Sequence, residues 1–120
     1  MENNNENGKP EVFRLWWKRK DSERRIPAGV AFYDEKYGEY RLKIDYLQAL
    51  MDKADPCFYL RTVGSEDNKI LFRAETVLKK DGRFMGRRPV GEGYSSKETD
   101  GEVYIDFGPH EKLLVMTLKN

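Results

Sequence analysis

Few residues in this chain could begin a reaction. Among 120 residues there is one histidine, His110, and one cysteine, Cys57. A multi-histidine metal site cannot be built from that stock, nor a Ser/His/Asp set with a second histidine to spare. No CxxC or HExxH spacing is present to hold zinc. Cys57 and His110 would have to meet in the fold to act as nucleophile and base, but Cys57 opens a strand-like run, where a small buried packing residue is the commoner role. Gly86 and Gly91 match the two glycines of a phosphate loop, yet Glu92 and Gly93 follow where Lys and Ser or Thr are required, and an acid there repels phosphate. Glu98, Asp100 and Glu102 fall at alternate positions but lack calcium-loop spacing, so a solvated acidic loop is the simpler account. The expectation is a non-catalytic chain with no metal and no cofactor.

One constellation points to binding. Arg14, Trp16, Lys18 and Lys20 share the outward face of an alternating segment, and Arg41 and Lys43 lie on the polar face of another. An aromatic ring among cations on an antiparallel sheet is what single-stranded DNA or RNA requires: the ring stacks on a base and the cations hold the phosphates. Arg83, Arg87 and Arg88, in or near a long loop, would extend the groove. The blander alternative is that Trp16 packs under the loop, a helix or a second subunit. The same face would then meet a protein partner or another copy of the chain, since Tyr, Trp and Arg are enriched at such interfaces.

Charge is consistent with a local footprint only. Lys and Arg number 22 against 21 Asp and Glu, a formal charge of +1, which argues against a surface given over entirely to polyanions. Glu11 to Arg25 has six basic and three acidic residues, and Lys79 to Lys97 six and two, whereas Glu98 to Glu111 has five acids and no Lys or Arg. Opposite charges facing each other across neighbouring strands would account for the same pattern.

The elements that must position these residues are mostly strands. Phe13, Leu15 and Trp17 alternate with Arg14, Trp16 and Lys18 across Val12 to Lys20. Ile26, Pro27 and Gly29 lead into a strand over Val30 to Tyr33. Glu39 to Tyr46 is the clearest strand, with Tyr40, Leu42, Ile44 and Tyr46 opposite Arg41, Lys43 and Asp45. Asp45 and Gln48 have the form of a capping box before Leu47, Leu50, Met51 and Ala54 at helical spacing, so one short helix is expected, ending before Pro56. Cys57 to Val63 and Lys69 to Leu78 form a hairpin. Asp81-Gly82 is a strong turn signal, and Arg83 to Met85 resumes as a strand. Gly86 to Gly101 holds Gly91, Gly93 and Pro89, with Val90 its lone bulky aliphatic residue, and reads as the longest loop. Glu102 to Phe107 alternates again, Gly108-Pro109 turns the chain, and Leu113 to Leu118 is apolar on both faces, as a central strand would be.

The fold class is therefore mainly β: an antiparallel barrel or sandwich of seven or eight strands with one short helix. Residues 1–10 are expected to be a disordered tail, since nothing apolar follows Met1 to repay ordering, and residues 11–120 a single β domain. A lone cysteine excludes an internal disulfide, and neither a signal-peptide pattern nor a membrane-length apolar run is present. A cytoplasmic location with no membrane partner is expected.

Overall fold

The computed structural model describes residues 11–45, 57–95, 101–108 and 111–118. Eight strands run in order: β1 (Val12–Arg19), β2 (Arg25–Asp34), β3 (Glu39–Ile44), β4 (Cys57–Glu66), β5 (Lys69–Lys80), β6 (Arg83–Ser95), β7 (Glu102–Asp106) and β8 (Lys112–Thr117). Each pairs antiparallel with its sequence neighbours, and β8 returns to β1, so the sheet closes on itself. Closure removes the free edges that an open sheet of this size would present. Of the expected alternatives, an antiparallel barrel or sandwich of seven or eight strands, the structure is the closed barrel of eight. The expected helix falls on residues 46–55, outside the described residues, as does His110.

Alternation places the core. Phe13 and Leu15 from β1, Leu42 and Ile44 from β3, Leu60 from β4, Phe72 and Ala74 from β5, Val103 and Ile105 from β7, and Leu114 and Met116 from β8 meet in one cluster. Eight strands leave an interior about wide enough for such side chains to fill. At one mouth of the barrel Tyr40 stacks edge-on against Phe13 and Tyr33, at 5.6 and 4.9 Å between ring centres. Burial there pushes the Tyr40 phenol above its ordinary pKa.

Of the segment expected to be the longest loop, residues 86–95 are strand instead, and 96–100 lie outside the described residues. β6 runs through Ser95 and pairs with β5 from Leu71↔Tyr94 down to Lys80↔Arg83. Two of its glycines, Gly91 and Gly93, sit where a side chain would crowd the neighbouring strand. A Cβ on Gly91 would lie 2.7 Å from the Asp106 carbonyl oxygen, and one on Gly93 would lie 3.1 Å from that of Tyr104 and 3.4 Å from Phe72. The wall is made of backbone here because Phe72, Ile105 and Phe107 occupy the space. β2 likewise begins earlier than expected: Pro27 and Gly29 are strand residues, paired with Trp16 and Leu15 on either side of a bulge.

Two ion pairs brace the outside of the barrel, each reaching over two intervening strands. Arg87 of β6 donates from Nη1 and Nη2 to the two carboxylate oxygens of Glu39 on β3, at 2.7 and 2.8 Å. On the way its guanidinium passes 4.4 Å from the centre of the Tyr59 ring, and Glu75 joins it at 3.5 Å. Arg61 holds Glu75 from the other side at 2.9 Å. Across the barrel, Arg25 of β2 binds both carboxylate oxygens of Glu102 on β7, spanning β1 and β8. The Tyr104 hydroxyl donates to the same carboxylate at 2.8 Å. Between these groups the outward-facing Val115, paired with Trp16 and Tyr104, is 0% exposed. This second layer explains why the last strand is apolar on both faces.

The Arg25 brace has a pH signature. Hydrogen bonds from Arg25 hold the Glu102 carboxyl below its ordinary pKa, against the opposing effect of burial, and the Tyr104 hydroxyl adds to them. A depressed folded-state value gives stability that is complete above the unfolded carboxylate value of about 4.3 and is lost as pH falls through the folded value. Glu102→Gln should therefore be less stable than wild type by a constant amount from neutrality to about pH 5.5, and the gap should close below about pH 4. Urea midpoints measured at stepped pH check this; a gap that stays constant into strong acid refutes it.

Candidate nucleic-acid interface

The face to test is the outer surface of β1, β2 and β3. Registers place Val12, Phe32 and Arg41 in one row and Arg14, Val30 and Lys43 in the next, with Trp16 beside Pro27 below them. All of these point away from the core, because their chain neighbours Phe13, Leu15, Ala31, Leu42 and Ile44 point into it. Phe32 lies between two cations. The Arg41 guanidinium is 5.7 Å from its ring centre and the Lys43 ammonium 5.8 Å, both within cation–π range.

Trp16 borders an open groove of about 490 Å³ lined by Val12, Arg14, Leu15, Pro27, Gly29 and Val30. The ring is half-buried, and its indole nitrogen donates to the Thr117 hydroxyl at 3.4 Å. One edge is therefore held while part of the ring remains open to the groove. Arg14, Arg41 and Lys43 form no ion pair among the described residues. Asp34 and Glu39 are the only acids on these three strands, and both lie beside the β2–β3 turn.

Other members of the sequence-derived set are differently placed. Lys18 is buried although its position on the strand is outward; its ammonium donates to the Arg19 carbonyl at 3.0 Å and meets Glu23 at 3.6 Å. Lys20 pairs with Asp106 at 3.1 Å. Arg87 is committed to Glu39 and Glu75, which raise its pKa above the ordinary arginine value against the effect of burial. Arg83 and Arg88 are exposed on β6, across the barrel from β2, so none of the three β6 arginines extends the β1–β3 groove. They sit on a strand, not in a loop beside β1.

Phe32 was not among the sequence-derived residues. The signal was available in the alternation of Val30 and Phe32 with Ala31, but assigning the face required the register with Arg41 and Lys43.

Among the described residues no group of three or more His, Cys, Asp or Glu side chains is placed to hold a metal ion, and no helix is long and apolar enough to cross a membrane. Comparison with protein-family models, curated proteins and solved structures finds no match to this chain.

Proposed function

We propose that this chain is a non-catalytic β-barrel module that binds single-stranded DNA or RNA across the outer face of β1–β3. The observation that carries the reading is Phe32 flanked by Arg41 and Lys43, next to the groove bordered by Trp16 and Arg14, on strands whose acids lie only at one turn. Two rings supply stacking platforms, and three cations without an ion pair among the described residues supply phosphate contacts. Stacking of this kind is tolerant of sequence, so the β1–β3 face selects unpaired strands rather than particular bases.

Titration of a labelled 12-nucleotide oligothymidylate at about 50 mM salt tests the proposal. Phe32→Ala and Trp16→Ala should each weaken binding by about 1 to 3 kcal/mol, roughly five- to 150-fold. Neutralising Arg14, Arg41 and Lys43 together should lower the steepness of the salt dependence by about two, because each phosphate contact on a single strand contributes roughly 0.7. A folded wild-type protein that neither binds nor shows tryptophan quenching at low salt removes the proposal.

A second reading is that a protein partner or another copy of the chain occupies this face. The exposed Val12 and Pro27 at the groove margin favour it. A dimer at micromolar concentration in sedimentation, together with no affinity for the oligonucleotide, selects that reading instead.

A further inference from the structure

The hairpin of β5 and β6 runs on past the barrel wall. The β4 ladder with β5 reaches Phe58↔Thr76, and the β7 ladder with β6 begins at Glu92↔Asp106. Between those limits the two strands pair only with each other among the described residues, from Val77↔Arg87 to Lys80↔Arg83 around the Asp81-Gly82 turn. Every residue from Leu78 to Met85 is exposed. A two-stranded ribbon is marginal when isolated, so the barrel must anchor this one at its base, where Arg87 grips Glu39 and Glu75.

Composition shows what the ribbon suits. Lys79, Lys80 and Arg83 on the ribbon, and Arg88 just beyond its base, are exposed cations without an ion pair among the described residues, against the single acid Asp81. Among them Phe84 is 65% exposed and Met85 59%. They add apolar surface to a cationic ribbon. The cations occupy both faces: Lys79 pairs with Phe84 on one, and Lys80 pairs with Arg83 on the other. A lipid surface is planar and would engage one face while forcing the charged tip inward. A groove walled by two phosphate backbones engages both.

We propose that the β5–β6 ribbon is a second nucleic-acid contact, separate from the β1–β3 face, and that it enters the major groove of duplex DNA. That groove is about 12 Å wide and 8.5 Å deep and admits a two-stranded β-ribbon. Val77 to Lys80 spans roughly 10 Å at about 3.3 Å per residue, enough to reach its floor. Lys79, Lys80, Arg83 and Arg88 take the phosphates on either side, and Phe84 lies against base edges, where thymine methyl groups offer an apolar contact.

The test is fluorescence anisotropy of a labelled 20-base-pair duplex between about 50 and 200 mM salt, with vesicles containing phosphatidylserine as a separate arm. Wild type should bind with a log–log salt slope near −3.6 if all four cations meet phosphates, and Lys80→Ala with Arg83→Ala should lower its magnitude by about two and weaken binding at least tenfold at low salt. The thermal midpoint of that variant should match wild type, since both side chains are exposed beyond the wall. Trp16→Ala and Phe32→Ala should leave duplex binding unchanged, so failure here and failure of the β1–β3 reading are distinguishable. The proposal is overturned if wild type does not bind the duplex, if the ribbon variant binds it as well as wild type, or if the variant loses vesicle binding and keeps duplex binding.

Discussion

A Gly29→Ala variant is expected to be recovered unfolded or aggregated. Gly29 has φ +152°, a conformation that L side chains rarely adopt, and it faces Ile44 where β2 and β3 pair. A Cβ at this position would lie 2.0 Å from the Lys43 carbonyl oxygen and 3.1 Å from the Ile44 Cα. Both are backbone atoms, so no side-chain rotation relieves the contact; the two strands must separate. They cannot do so alone, because each is also paired on its other side. The loss should exceed about 4 kcal/mol, placing it among the rare severe substitutions. Gly64→Ala is the control: nothing lies within 4 Å of its added methyl group, and the midpoint should stay within about 0.5 kcal/mol of wild type. Near-ultraviolet circular dichroism and thermal unfolding report both variants. A soluble Gly29→Ala protein with the wild-type midpoint would show that the β2–β3 approach is looser than described.

The second large effect is expected from Arg87→Met. Arg87 neutralises two carboxylates whose side chains are only 5% and 6% exposed, Glu39 and Glu75. Methionine keeps much of the apolar stem against Tyr59 but leaves Glu39 without its partner and Glu75 with Arg61 alone. Breaking a buried pair from one side typically costs about 3 to 5 kcal/mol, chiefly through the stranded charge. For a domain of this length that is a fall of roughly 10 °C or more in the thermal midpoint. Adding Glu39→Gln to Arg87→Met removes the stranded charge and should recover part of the loss, a coupling that a double-mutant cycle measures. A midpoint within about 2 °C of wild type for the single variant would assign the pair no role in stability.

The sequence allowed some strands to be read and concealed others for identifiable reasons. β1, β3 and β7 declare themselves because bulky apolar residues alternate with charged ones: Phe13 and Leu15 against Arg14, Leu42 and Ile44 against Lys43, Val103 and Ile105 against Glu102. β6 is hidden because its inward positions are Gly91 and Gly93, and alternation between glycine and polar residues looks like a loop. The volume that makes those glycines necessary comes from Phe72, Ile105 and Phe107, none adjacent in sequence. Closure is equally non-local, since β1 meets β8 about 100 residues away.

The candidate face divides in the same way. Arg14 and Trp16 stand on the outer wall as alternation implies, with Arg41 and Lys43 on a neighbouring strand. Lys18 fits the same pattern and is nevertheless buried, because its stem is covered while its ammonium finds the Arg19 carbonyl and Glu23. Arg87 could not be separated from the other cations by sequence, as its principal partner Glu39 lies 48 residues away.

The Arg25–Glu102 bridge straddles the seam where the first and last strands join. That junction asks the chain to bring distant segments together, so it carries the largest entropy of loop closure and belongs late in assembly. Contacts completed after the folding barrier govern how slowly the native state comes apart more than how fast it forms. The bridge is thus a latch on lifetime, and in Glu102→Gln the loss should appear as faster opening with the rate of formation nearly unchanged.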